Sequence, residues 1–192
     1  MLIQSVNSNN QLYAMSDIFP EDILSDIMSF DWDQTSYQRL EIGDSKRRSF
    51  DESQLPFEHK VHNYVINTVR PQIEKVCGVK FVDNKFWSVN WWLDEPGFRP
   101  RMHTDGDLPS ALQVYFLPGD NTSLGTTFFN TNSYDDVMHR FPSVPNTGYL
   151  MFNAHHSTED NRILLWHDME RAVPDSVKRV CLYVTLGGYV KL

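Results

Sequence analysis

Leu112-Gln113-Val114-Tyr115-Phe116-Leu117, followed by Pro118-Gly119-Asp120-Asn121 and then by Thr126-Thr127-Phe128-Phe129-Asn130, reads as strand, turn, strand. Both runs are short and rich in β-branched and aromatic side chains, which suit a pleated surface. The Pro-Gly-Asp-Asn cluster between them favours a chain reversal. The same texture extends in both directions. Residues 80–82, 86–93, 149–152, 163–167 and 180–186 are further runs of this kind, and Asp94-Glu95-Pro96-Gly97, Pro145-Asn146-Thr147-Gly148 and Pro174-Asp175-Ser176 are further turn clusters. Many short strands separated by such turns predict a closed antiparallel sandwich or barrel, of which a jelly roll is one form.

Upstream of residue 79 the patterns are partly helical. Phe19-Pro20-Glu21-Asp22 opens an amphipathic run through Ile23, Leu24, Ile27 and Met28, with a proline near the helix start and acids in the first turn. Phe57, Val61, Tyr64, Val65, Val69, Ile73 and Val76 recur at three- and four-residue spacing and mark one buried helical stripe. Pro71 inside that stripe predicts a kink or a division, and Gly78 a stop. A first strand is expected near residues 11–15. The 192 residues are thus expected to form a single domain, mainly β with flanking helices. Residues 1–79 would be a helical and strand support region backing a jelly-roll, cupin-like catalytic core over residues 80–192.

Composition bounds the function classes. Hydrophobic residues make up 41% and charged residues 22%, as in an ordinary globular protein. No run approaches the roughly 20 apolar residues of a membrane span. Met1-Leu2-Ile3-Gln4-Ser5 lacks the basic region and long apolar run of a secretory signal. With no such signal, Cys77 and Cys181 read as reduced thiols of a cytoplasmic protein. A net charge of −8 argues against a general nucleic-acid partner. The densest basic run, Lys46-Arg47-Arg48, is expected to be a solvated loop. Five tryptophans and 13% aromatics suit a β-rich core or a lined pocket, and composition does not choose between them.

The chemistry is concentrated in Arg101-Met102-His103-Thr104-Asp105-Gly106-Asp107. In a strand, positions i and i+2 share a face, so His103 and Asp105 are expected to converge on one metal. An imidazole nitrogen and a carboxylate oxygen supply two of the three ligands of a facial triad, which leaves positions open for other molecules. His-x-Asp alone is a weak motif. Its partner is the segment Trp166-His167-Asp168-Met169-Glu170-Arg171-Ala172-Val173-Pro174, followed by Arg179 at the start of the next strand. A buried Arg presents a planar fork that holds a carboxylate bidentately. His155 and His156 are rivals for the third ligand, but they fall in a polar loop over residues 153–161. His167 is flanked by apolar strand residues and is preferred, because ligating histidines need a rigid, partly buried site. His59, His62 and His139 read as surface or helix-face residues, and Trp91 and Trp92 as core and rim. Arg99 and Arg101 share parity with His103 and stand either as attractors of an acidic substrate group or as solvent-exposed cations.

In this ordered set the chain resembles the 2-oxoglutarate/Fe(II)-dependent oxygenases, in particular the prolyl-hydroxylase-like branch. The resemblance covers about residues 86–187. It rests on His103-Thr104-Asp105, the strand over residues 112–117, Leu124-Gly125-Thr126-Thr127-Phe128, Gly148-Tyr149-Leu150-Met151-Phe152, His167 and Arg179, all in family order. The resemblance implies a double-stranded β-helix, the jelly roll of that family. It places iron(II) on His103, Asp105 and His167, and 2-oxoglutarate on the iron with its distal carboxylate on Arg179. O2 would be the second co-substrate, with ascorbate as a further reductant. The activity implied is hydroxylation of a peptidyl residue, an amino acid or a small metabolite, with release of succinate and carbon dioxide. Related halogenating enzymes carry a small residue at the position of Asp105, so the carboxylate favours hydroxylation or another oxidation.

The chain departs from the family at two points. Asn90-Trp91-Trp92 stands where the family often has a tyrosine that contacts the co-substrate. Cys181 stands where a Ser or Thr commonly follows the arginine, and a thiol is a weaker hydrogen-bond partner. Tyr115 competes with Phe116 for the inward position on its strand, and reads either as a hydroxyl donor to the co-substrate or as an ordinary sheet aromatic. Two other classes stay open: a cupin-like metal-binding jelly roll that does not use 2-oxoglutarate, and a non-catalytic β-sandwich binding module in which the triad never meets. The N-terminal helices and the loop over residues 130–145 are expected to cover the mouth of the site.

Overall fold

The computed structural model describes residues 1–33, 37–39, 46–50, 54–82, 88–106, 108–118, 121–153 and 164–192. The rival ligands His155 and His156, Asp107, the centre of the Pro118–Asn121 turn and the starts of the runs at 86 and 163 lie outside the described residues.

One antiparallel sheet joins distant parts of the chain. Its strands are β1 (Leu2–Ser5), β2 (Leu12–Ser16), β3 (Tyr37–Arg39), β4 (Arg47–Phe50), β6 (Ser88–Asp94), β7 (Ser110–Leu117), β10 (Thr147–Phe152) and β12 (Arg179–Thr185). They lie in the order β1-β2-β10-β7-β12-β6-β4-β3. A second sheet has the order β11-β8-β9, from β8 (Asn121–Phe129), β9 (Val137–Ser143) and β11 (Trp166–Asp168). A two-stranded antiparallel sheet pairs β5 (Val79–Phe81) with β13 (Tyr189–Lys191). The fold is mainly β with antiparallel sheets, as expected of a jelly roll.

The helical readings hold with a refinement, except that Val76, expected on the buried stripe, is 55% exposed. Pro20 precedes α1 (Glu21–Ser29), whose Ile23 and Ile27 are buried. The long stripe becomes α2 (Glu58–Tyr64), a π-helical turn at Val65–Val69 and α3 (Arg70–Cys77). Proline clashes with the carbonyl four residues back, and a wider turn just before Pro71 relieves that clash. Gly78 caps α3 with φ 64°, a left-handed conformation that glycine adopts without a side-chain penalty.

Period-2 alternation sorts the large sheet into two faces. Val89, Trp91 and Leu93 on β6, Leu112, Val114 and Phe116 on β7, and Val180, Leu182 and Val184 on β12 join one core with the helices. The residues between them face the second sheet, where Ala111, Tyr115, Tyr149, Cys181 and Phe128 form a separate cluster. Strands β7 and β12 are therefore covered on both sides, and every residue of β12 is buried. This settles the competition on β7: Tyr115 points to the inter-sheet side, and Phe116 to the helices. Gly125 is required where β8 meets β9. A Cβ there would lie 1.6 Å from the Phe141 carbonyl oxygen.

Three expectations are corrected. Arg47 and Arg48 do not lie in a solvated loop; they begin strand β4, and Arg47 is buried. Pairing with β6 and the anion on that strand outweigh the local preference of charge runs for water. Residues 130–145 do not form a covering loop, because β9 pairs with β8 at the border of the smaller sheet, where Pro142 is tolerated. The N-terminal helices pack on the far face of the large sheet, away from the cavity described next.

Candidate metal centre

His103 and Asp105 do not sit on a regular strand. His103 forms an isolated antiparallel bridge with His167 on β11. The His103 amide donates to the His167 carbonyl at 3.0 Å, and the His167 amide donates to the His103 carbonyl at 2.8 Å. The two histidines are thus tied backbone to backbone, and their ring centroids lie 4.4 Å apart. Asp105 follows in the turn, with its Oδ1 3.5 Å from Nε2 of His103 and 3.5 Å from Nε2 of His167. One ligand atom from each of the three residues lies within 4.8 Å of the others. Among the described residues, this is the one such cluster of at least three His, Cys, Asp or Glu side chains.

The surrounding hydrogen bonds prepare these atoms for a cation. His103 Nδ1 lies 2.7 Å from the Arg101 carbonyl, and His167 Nδ1 lies 3.0 Å from the Leu165 carbonyl. A carbonyl only accepts, so each Nδ1 carries a proton, and each Nε2, turned to Asp105, is the atom that a metal would take in place of a proton. Tyr183 donates its hydroxyl to Asp105 Oδ2 at 2.6 Å, which leaves Oδ1 facing the imidazoles. Burial alone would push the Asp105 carboxyl up. Hydrogen bonds from His103, His167 and Tyr183 outweigh that effect and hold it well below the usual carboxylate range. The hydrogen bond with Asp105 likewise raises His103 above the usual imidazole value. Burial pushes the Tyr183 phenol well up, so it stays a donor.

The triad opens into a small cavity whose walls come from the inter-sheet face. Gln113, Tyr149, Arg179, Trp92 and Arg47 from the large sheet and Thr126 from β8 line it. Arg179 is fully buried and reaches this cavity, as expected. One of its terminal amino groups donates to Asp94 Oδ2 and also approaches Met169 Sδ at 3.5 Å. Burial works against its positive charge, but the polar groups around it, Cys181, Asp94 and Tyr115, outweigh that effect and keep it protonated.

Tyr115 and Cys181 stand behind this wall and are not among the cavity-lining residues. The Tyr115 hydroxyl donates to Thr126 Oγ1 at 2.7 Å, and burial pushes its phenol up to about 12. Burial pushes the Cys181 thiol up to about 11. Trp91 belongs to the helix-side core, whereas Trp92 lines the cavity and stacks on Tyr183 with centroids 4.8 Å apart. Arg99 is fastened to the β11 segment. Its Nε donates to the Met169 carbonyl at 3.1 Å, and its terminal nitrogen lies 3.6 Å from Asp168. Asp168 lines the cavity, is buried, and accepts no hydrogen bond at either carboxylate oxygen among the described residues. Arg101 is exposed.

Sequence reasoning missed Tyr183, Gln113, Tyr149, Arg47 and Asp94. Tyr183 was within reach, because Arg179 and Tyr183 share parity on β12. A larger cavity of about 400 Å³, bordered by Gln11, Cys77, Phe152, Tyr189 and Lys191, holds no such cluster of ligating side chains.

No protein-family model and no curated protein sequence matches the chain. Solved structures do. A Pseudomonas putida prolyl-4-hydroxylase superposes with a TM-score of 0.61 at 14% identity, over 93% of this chain and 92% of that one. A viral collagen prolyl hydroxylase from Paramecium Bursaria Chlorella virus-1, solved as its 2OG complex, gives 0.60 at 15% identity, over 91% and 94%. SnoN, a non-heme alpha-ketoglutarate dependent epimerase from nogalamycin biosynthesis, gives 0.62 at 9% identity, over 95% and 80%. The chain has the fold of these 2-oxoglutarate/Fe(II) oxygenases.

Proposed function

We propose that the protein is an iron(II)- and 2-oxoglutarate-dependent dioxygenase that hydroxylates a peptidyl residue, an amino acid or a small metabolite, and that it works in the cytoplasm. One observation carries this reading. Asp105 Oδ1 stands 3.5 Å from two imidazole Nε2 atoms whose Nδ1 atoms are both engaged with carbonyls. Two nitrogens and one carboxylate oxygen on one side of a cation fit the facial set that non-haem iron takes, and they leave its other positions open. A ferrous ion held there would activate O2, with 2-oxoglutarate as the reductant. The balance is 2-oxoglutarate, O2 and a substrate C–H bond in, and succinate, carbon dioxide and a C–OH group out.

The protein's own residues bind and orient. The His103–His167 bridge fixes the spacing of the two imidazoles. Tyr183 holds the rotation of the Asp105 carboxylate. Arg179 is the cation for the distal carboxylate of 2-oxoglutarate, and Trp92 and Met169 give the cavity an apolar wall that limits water. The prolyl hydroxylases among the similar structures support a hydroxylase. The epimerase keeps another oxidative outcome within reach of the same fold. The free thiols of Cys77 and Cys181 support a reducing compartment.

The test is anaerobic iron(II) titration followed by measurement of succinate formed from 2-oxoglutarate in air. The expected result is iron-dependent succinate release that His167→Ala abolishes. Tight iron binding with no succinate, with or without candidate substrates, would leave a metal-binding jelly roll in place of the oxygenase. An equally tight site in His167→Ala would overturn the ligand set.

A further inference from the structure

Arg47, Asp94 and Arg179 form one rung across three adjacent strands. Arg47 on β4 is in register with Asp94 on β6, and Arg179 on β12 is in register with the same Asp94 from the other side. Arg47 Nε donates to Asp94 Oδ1 at 2.5 Å, its terminal nitrogen donates to Oδ2 at 3.0 Å, and Arg179 donates to that same Oδ2. Asp94 is wholly buried, Arg179 is 1% exposed and Arg47 9%. Two guanidiniums and one carboxylate leave the buried rung with one surplus positive charge.

A buried surplus charge is costly unless a counter-charge reaches it. Both arginines line the triad's cavity. Arg179 Nε is buried and has no hydrogen-bond partner among the described residues. The other cavity anions belong elsewhere: Asp105 faces the ligand imidazoles and Asp168 the Arg99 guanidinium. Arg47 is also held rigidly. Its guanidinium carbon lies 4.1 Å from the Trp92 ring centroid and 4.2 Å from that of Phe98, a sandwich that a planar cation fits and an ammonium does not.

The geometry points to Arg47 as a positioning residue for the anionic end of the co-substrate. Paired with Asp94 alone, Arg179 would be half of a neutral ion pair with little pull on a carboxylate. Arg47 neutralises Asp94, so the charge of Arg179 is available to the ligand. This inference rests on the 2-oxoglutarate reading above.

The experiment measures binding to the Mn(II)-loaded full-length protein by calorimetry, with 2-oxoglutarate and with 2-oxopentanoate, which keeps the chelating keto acid and lacks the distal carboxylate. Arg47→Gln is expected to weaken 2-oxoglutarate binding by about tenfold or more, as loss of one charge across a partly buried site would. Affinities for Mn(II) and 2-oxopentanoate should stay within about twofold of the parent. Arg47→Gln combined with Asp94→Asn again leaves one surplus charge, on Arg179, and should recover most of the lost affinity. A residue that merely supports β4 would show no such rescue. The proposal is overturned if Arg47→Gln binds 2-oxoglutarate like the parent, if it loses both keto acids equally, or if the double variant is no better than the single one. Should Arg47→Gln fail to fold, Arg47→Lys, which keeps the charge and loses the stacking, must retain preference for 2-oxoglutarate over 2-oxopentanoate. A parent protein that binds Mn(II) but neither keto acid would sink the 2-oxoglutarate reading, and the role of Arg47 with it.

Discussion

The two faces of the eight-stranded sheet do different things with the same strands. Leu182 and Tyr183 are neighbours on β12 and both are buried. Leu182 packs into the apolar core shared with the helices, whereas Tyr183 turns to the cavity and donates to a metal-ligand candidate. The helix face is an apolar cluster, and its value is area removed from water. The cavity face carries arginines, a glutamine, tyrosines and a buried aspartate, each held by a specific partner. The first face is the apolar core, and the candidate site lies on the second. Burial alone does not tell Leu182 from Tyr183, because both are buried.

Substitutions on neighbouring residues can break this division. The largest effect is expected from Leu182→Ala, which opens a void in the helix-side core and should destabilise the fold by about 2–5 kcal/mol in denaturant melts. Its folded fraction should bind metal as tightly as the parent; a large loss of metal affinity would show that the faces are coupled. Next comes Tyr183→Phe, one residue along. It removes one hydrogen bond and should cost about 1 kcal/mol of stability. Metal affinity should fall by about 10–100-fold, because Asp105 loses the partner that orients it. Unchanged metal binding would mean that the turn alone places the carboxylate.

The smallest effect lies off both faces. Burial would raise the Glu74 carboxyl, but the Lys80 ammonium at 2.9 Å and the Phe81 amide at 3.0 Å outweigh it and lower its pKa. A lowered carboxyl stabilises the folded state above the usual glutamate value, and that contribution is lost as pH falls through the folded value. At neutral pH, Glu74→Gln should therefore be less stable by under about 1 kcal/mol, since Lys80 is largely exposed. The gap between the two proteins should close in acid below the ordinary glutamate range. A gap that widened in acid would contradict the sign.

Much of the fold was legible because its signals are local. Strands β7, β10 and β12 are buried on both sides, so their sequences are dense in β-branched and aromatic residues. β4 was hidden because its sequence is polar and basic, and β9 because His139, Arg140 and Pro142 interrupt its apolar residues; partners elsewhere make them strands. The triad was legible by residue type and order, but its geometry was read wrongly. A regular strand was expected to aim His103 and Asp105 together; a bridge to His167 and a turn do so instead. The N-terminal helices were placed correctly in the chain and as backing for the sheet, and wrongly at the mouth of the site, since helical spacing identifies a buried stripe without naming the sheet face it meets.

By itself the sequence determined which residues could be ligands, where apolar stripes run with period 2 or 3.6, and where proline and glycine interrupt them. These follow from chemistry within a few residues of each position. Tertiary structure alone decided which of the two buried faces carries the candidate site, that Tyr183 meets Asp105, and that Arg47 meets Arg179 across Asp94. Those contacts join residues 47, 78 and 85 positions apart in the chain, and only strand pairing and turn geometry bring such distant side chains within hydrogen-bonding reach.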